Sequence, residues 1–468
     1  MKFVSTRGQA PALSFEGALL AALARDGGLY MPEAWPKLSP DGIAGLMGLD
    51  YADAAYRVMR PYLEGDPCLA DLEPVLEEAY GSFHHPAVAP LRQIAPNSFI
   101  LELFHGPTLA FKDVAMQLLA RLMDHVLRTR RKRVTIVGAT SGDTGGAAIE
   151  AFRDRDNVDV FILFPEGRVS PFQRRQMTTT GASNVHAIAI EGTFDDCQAI
   201  VKGLFNNAGF RERVGLAGVN SINWARIVAQ IVYYVTAAVA LGAPHRAVSF
   251  TVPTGNFGDI FAGFAAKRMG LPIDRLVVAT NLNDILTRTL ASGRYELRKV
   301  TPTASPSMDI QVSSNFERLL FEAHQRDGAA VRRLMQDLAA SGSFAIAAAP
   351  LARIQADFAA ARADEEETAA SIGETMRTTG FLPDPHTAVG LSVARRFAKP
   401  DIPMITLATA HPAKFAAAVE RAAGRPAPLP AGIDDLMALN EDYAVLAKDR
   451  VAVEEFIAAR ARALAEKV

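Results

Sequence analysis

Beyond Ser98 the chain repeats one pattern: a short β-branched run, a turn, then a longer stretch with apolar residues at helical spacing. That alternation restricts the fold more than any other feature. Neighbouring parallel strands cannot be joined by a tight turn and need a crossover of a dozen or more residues, so the pattern predicts an α/β fold around a parallel sheet. Strands are expected at residues 133–137, 158–164, 185–190, 247–252, 275–280 and 402–408. Helices should end near 152 and span 195–206 and 224–241. The Ala- and Glu-rich stretch 360–376 reads as a solvated helix, and helices separated by residues 426–430 are expected at the C-terminal end. Before Ser98, helical spacing at 15–24 and 72–80 is broken by Gly27, Gly28, Pro32, Pro36 and Pro40, which predicts a helical N-terminal unit.

At 468 residues the chain exceeds what one hydrophobic core serves, and two or three domains of roughly 100 to 200 residues are expected. Lys and Arg number 49 against 51 acids, so no global field draws in nucleic acid or anionic lipid, and anion binding must be arranged locally. Cys68 and Cys197 stand far apart without His clusters at ligand spacing, which argues against a disulfide scaffold or a metal site and fits a reducing cytoplasm. The N-terminus turns polar at Ser5, Thr6 and Arg7 before a signal-peptide core can form, and no run is apolar for long enough to span a bilayer. No membrane partner is expected, and the chain is read as a monomer or homodimer.

Four constellations carry chemistry. In the first, Gly255, Asn256, Phe257, Gly258 and Asp259 join the end of a strand to a helix from about Ile260. Such a turn either merely connects or holds a phosphate on the unpaired N–H groups of the helix start. The second, Thr140, Ser141, Gly142, Asp143 and Thr144, has the same layout with hydroxyl donors added. Neither has the Gly-Lys-Ser/Thr ending of nucleotide hydrolases or the Gly-x-Gly-x-x-Gly of dinucleotide binders. The third places Lys112 among Leu109, Ala110, Phe111, Val114 and Ala115. Either the side chain reaches water along its stem, or its amine is desolvated, left neutral and free to condense with an aldehyde. In the fourth, Asn220, Ser221, Asn223 and Arg226 cluster at a helix start, where Ser221 or Asn223 serves as a cap and Arg226 suits phosphate oxygens.

With these motifs in this order, together with Ser5–Gly8, Asp26–Tyr30 and Leu407–Phe415, the sequence resembles the threonine synthase family in its longer form. The resemblance spans most of the chain to about Phe415. It implies the fold-type II pyridoxal-phosphate architecture, like the tryptophan synthase β chain: two α/β domains with an additional mostly helical N-terminal domain. The expected division is 1–97 for the N-terminal domain, 98–132 with 220–468 for the large cofactor-binding domain, and 133–219 for the small domain. Carried over by position, the resemblance implies pyridoxal 5′-phosphate held as a Schiff base on Lys112, with Phe111 packing beside it. It also implies Gly255, Asn256, Phe257, Gly258 and Asp259 around the cofactor phosphate, Thr409 at the pyridine nitrogen, and Asp143 near the phenolic oxygen. Many fold-type II relatives carry Asn where this chain has Asp143. Thr140, Ser141, Gly142 and Thr144 are implied to receive a substrate carboxylate, and Asn220, Ser221 and Arg226 a substrate phosphate.

The substrate so implied is O-phospho-L-homoserine, turned with water into L-threonine and phosphate by γ-elimination and β-addition. Two other outcomes use the same residues: a phospholyase releasing 2-oxobutyrate, and a non-catalytic binder of small anions.

Overall fold

The computed structural model describes residues 1–430 and 433–463, with the backbone alone at Asp434. The chain divides into two compact units. The first comprises residues 1–19, 23–111 and 221–427; the second comprises 20–22, 112–220 and 428–468.

The first unit is built on a six-stranded sheet in the order Phe358–Arg362, Ile273–Thr280, Val248–Pro253, Met404–Ala408, Ser98–Glu102, Leu91–Ala95. All neighbours are parallel except the last pair, a hairpin turned at the sheet's edge. The central strand Val248–Pro253 is buried along its whole length, as a strand covered by helices on both faces must be. Helix Trp224–Ala240 is apolar nearly all round and buried to match.

The second unit has a five-stranded parallel sheet in the order Ala444–Ala447, Val185–Glu191, Val158–Pro165, Val134–Ala139, Leu216–Ala217. Its core joins Phe161, Leu163 and Ile188 from the strands to Cys197 and Leu204 from helix Phe194–Asn206. Strands begin and end within a few residues of their expected positions in both units.

Two expectations about elements are corrected, and three stretches cluster differently from the expected division. The stretch 360–376 is not one helix: Phe358–Arg362 is a strand paired with Leu276–Thr280, and the helix is Glu365–Thr379. Alanine's helix preference at 359–361 is overridden by sheet pairing, and the boundary is fixed by the Asp364–Glu367 capping box. The C-terminal residues hold a strand as well as helices and cluster with the second unit instead of the large domain. Ala444–Ala447 extends the five-stranded sheet, and Val453 and Ile457 of helix Arg450–Ala458 enter its core. Residues 1–97 cluster with the first unit, because Phe3 and Tyr62 pack around Trp224 at 5.9 and 5.7 Å, and Arg7 grips Glu317 through two hydrogen bonds of 3.0 and 2.9 Å. Helix Lys112–Arg130 also belongs to the second unit, not to the large domain.

Candidate functional site

In the second unit Lys112 opens helix Lys112–Arg130 and is buried, not extended along its stem to water. Its Nζ lies 3.5 Å from Asp143 Oδ2. Asp143 opens helix Asp143–Phe152, and its other oxygen accepts from Gln173 Nε2 at 2.9 Å. The turn before that helix is wound around Thr140, whose Oγ1 accepts from the N–H groups of Gly142 at 3.0 Å and Gly145 at 2.9 Å. Thr140 therefore organises the loop from within. The N–H groups of Ser141 and Thr144 meet no acceptor among the described residues, which leaves them available to a carboxylate at the helix's positive end. Gly142 has φ 142°, and an added Cβ would lie 2.5 Å from Gln173 Cδ, so both backbone and space demand glycine.

In the first unit the turn after Val248–Pro253 is held from behind by residues 305–315. Gly255 needs its missing side chain: a Cβ would lie 2.9 Å from Ser307 O. Ser313 Oγ donates to Gly255 O at 2.7 Å, and Asn315 gives both its backbone N–H and its side-chain N–H to Asn256 O, each at 3.0 Å. Ser307 N–H in turn donates to His386 Nε2 at 3.1 Å, while His386 Nδ1 donates to Asp384 Oδ2 at 2.6 Å. The loop is thus a rigid cradle ahead of helix Gly258–Met269, whose first-turn N–H groups point toward whatever the loop receives.

Two of its side chains face away from that cradle. Phe257, at φ 63°, is packed against Phe316 and Phe358 at 5.4 and 5.6 Å. Asp259 turns into the core, where Tyr233 and Tyr234 donate to its Oδ1 at 2.5 and 2.9 Å. Burial pushes this carboxyl up to about 6 against the opposing pull of the two phenols. Both residues can serve the loop through their backbone, not their side chains.

Phe111 N–H donates to Thr409 O at 2.8 Å, which fixes the end of strand Met404–Ala408 beside the residue that precedes Lys112. The Thr409 side chain is nearly enclosed, with no hydrogen-bond partner for its hydroxyl among the described residues. Asn223 is the cap of helix Trp224–Ala240, accepting from Ala225 N–H at 3.0 Å and donating to Leu19 O at 2.9 Å. Ser221 is thereby released from capping; its Oγ stands 3.5 Å from Ser314 Oγ. Asn220 is exposed. Arg226 is buried, and burial lowers its guanidinium to about 10, still cationic at neutral pH.

Sequence reasoning passed over Gln173, Asn315, Arg318 and His386. Arg318, fully buried, donates to Tyr30 O at 3.1 Å, to Ile222 O at 2.6 Å and to Asn315 Oδ1. An arginine inside the apolar helix Phe316–Ala323, and an Asp-Pro-His-Thr helix start at 384–387, were the available signals.

Three family profiles tile the chain: "Threonine synthase N terminus" over residues 2–80, "Pyridoxal-phosphate dependent enzyme" over 88–404 and "Threonine synthase, C-terminal" over 387–457. A threonine synthase of Pseudomonas aeruginosa is 55% identical over 459 residues, 98% of either chain. The chain belongs to the threonine synthase family. A crystal structure of PLP-bound threonine synthase from Brucella melitensis matches with TM-score 0.97 and 61% identity over 99% of this chain and 100% of that one. Threonine synthase from yeast matches with TM-score 0.92 and 40% identity, covering 99% of both. The pyridoxal-phosphate dependent enzyme profile over 88–404 and these neighbours establish the fold-type II α/β architecture and pyridoxal 5′-phosphate as cofactor. The donor set fits that group: a buried amine for the aldehyde, a glycine turn at a helix start for the phosphate, and an unengaged hydroxyl at a strand end. Among the described residues, no helix is long and apolar enough to cross a membrane.

Proposed function

We propose that this chain is a lyase converting O-phospho-L-homoserine and water into L-threonine and phosphate, with Lys112 as the catalytic residue. The observation that carries this reading is the buried Lys112 amine 3.5 Å from Asp143, in a chain of the threonine synthase family. Bound pyridoxal phosphate supplies an electron sink that makes the protons next to the amino-acid nitrogen removable.

The protein's own groups do the rest. Lys112 holds the cofactor aldehyde, then takes the α-proton and returns it at the end. Asp143 stands as a fixed negative charge beside that amine. The cradle at Gly255–Asp259 would hold the cofactor phosphate on backbone N–H groups. The Thr409 hydroxyl would meet the pyridine nitrogen; unlike a carboxylate, it would not favour a protonated ring, so electron withdrawal would be moderated. Ser141 and Thr144 receive the α-carboxylate, with Gly142 allowing close approach and Thr140 shaping the turn. Asn220, Ser221 and Arg226 hold the phosphate that leaves from the γ-carbon, Arg226 by virtue of a charge that burial does not extinguish.

Incubating pure holoenzyme with O-phosphohomoserine and identifying the products tests the reading. Threonine and phosphate in equal amounts are expected. Phosphate with 2-oxobutyrate instead of threonine would make the protein a phospholyase, and no turnover would leave only an anion binder.

A further inference from the structure

We propose that Gln173 is a positioning residue that holds Asp143 with one carboxylate oxygen turned to Lys112, so that the nitrogen of Lys112 stays protonated to higher pH. The inference rests on the role given to Lys112 above and extends it to a residue in a different helix.

Gln173 lies in the first turn of helix Pro171–Thr178 and is buried. Both ends of its amide are occupied. Oε1 accepts from Ser170 N–H at 3.4 Å in a capping box, and Nε2 donates to Asp143 Oδ1 at 2.9 Å. The capping bond decides which way the amide points, since the opposite orientation would set two oxygens against each other at Asp143 and two N–H groups at Ser170. A carboxylate pinned through Oδ1 cannot rotate freely, and its second oxygen is the one 3.5 Å from Lys112 Nζ. Gly142 completes the arrangement: the amide occupies the space a side chain there would take. An anion held this close favours the protonated form of its neighbour.

Several other charges on these helices have partners of their own, among them Arg128, which pairs with Asp124 at 2.8 Å. Arg174 and Arg175 of the Gln173 helix reach Glu441 at 2.8 and 3.8 Å. Glu150, on the Asp143 helix, pairs with Arg153 at 3.2 Å and interacts with Asp113 and Arg121 of the Lys112 helix. Burial raises Glu150 to about 7, and E150Q, titrated alongside the four proteins below, controls for its contribution.

The test is a spectrophotometric pH titration of the visible cofactor band in the holoenzyme, with four proteins: the parent, D143N, Q173M and the double variant. D143N should lower the midpoint by roughly one pH unit or more. Q173M should lower it in the parent background and leave it unmoved in the D143N background, because Gln173 acts only through Asp143. A Q173M midpoint equal to the parent's, or one shifted equally in both backgrounds, overturns the proposal. Q173N, an amide one methylene shorter, is read by the same criteria if Q173M does not fold. Absence of the visible band from the parent protein with added cofactor would sink the reading of Lys112 and this inference together; a band that forms and ignores Gln173 sinks the inference alone.

Discussion

Tyr233 donates its phenolic hydrogen to Asp259 Oδ1 at 2.5 Å, while the carboxylate's second oxygen is buried with no partner among the described residues. A carboxylate so placed is half satisfied, and burial raises it to about 6, against 3.8 for the free side chain. The folded protein therefore binds this proton more tightly than the unfolded chain does. Its contribution to stability is fully present below about pH 4, is lost as pH rises toward 6, and leaves a constant penalty of roughly 3 kcal/mol above that. D259N cannot ionise and should escape the penalty. Thermal unfolding at pH 5 and pH 8 should show D259N gaining on the parent protein as pH rises; a gap that does not change with pH would mean that Asp259 is not titrating there.

Asn315 binds two loops at once: its amide donates to Ser221 O at 3.3 Å and to Asn256 O at 3.0 Å. One of those loops is assigned to the substrate phosphate and the other to the cofactor phosphate. N315A removes both side-chain bonds from a fully enclosed place and takes an acceptor from Arg318, while Asn256 O keeps the backbone N–H of residue 315; the cost should be about 1–3 kcal/mol for each buried group left unmet. Cofactor affinity and the KM for O-phosphohomoserine should deteriorate together. Equilibrium dialysis of the cofactor alongside steady-state kinetics measures both, and loss in one without the other would uncouple the loops.

The route from sequence to these positions was uneven for physical reasons. Strand–helix alternation marks a parallel sheet because crossovers are obligatory, and glycines at 142 and 255 mark close approach because a Cβ has nowhere to go. The motifs at 140–144 and 255–259 could be found that way. Which way a side chain points from such a loop is decided by tertiary packing, and so Phe257 and Asp259, adjacent to a phosphate cradle in sequence, proved to face the core. Gln173 carries no local mark at all: a glutamine in the first turn of a helix is ordinary capping chemistry until Asp143, 30 residues earlier, is brought against it. The alanine-rich strand at 358–362 was hidden by the opposite effect, a strong local preference overruled by its neighbours in the sheet.

Gly142 offers a test of the loop that does not depend on cofactor chemistry. G142A must place a Cβ at φ 142° and within 2.5 Å of the Gln173 amide. The strain alone is on the order of 1–3 kcal/mol, and displacement of Gln173 adds to it. Lower thermal stability is expected in the cofactor-free protein, with a further loss in kcat from the disturbed Asp143. A G142A protein as stable as the parent would mean that the turn relaxes freely and that its glycine is not required by shape.

The C-terminal segment, expected in the large domain, clusters with the second unit and packs into its core. Val453 and Ile457 are fully buried there together with Ile188 and Ile190 of strand Val185–Glu191, and strand Ala444–Ala447 covers what would otherwise be an open sheet edge. Replacing Val453 with Asp puts an unpaired charge among these side chains and should cost several kcal/mol. The damage should be confined to the unit that carries Lys112. Hydrogen exchange resolved by peptide is the measurement: strands Val158–Pro165 and Val185–Glu191 should lose protection in V453D, while strand Val248–Pro253 of the first unit keeps it. Equal loss in both would show that the two units unfold as one and that the segment's allegiance has no separate energetic meaning.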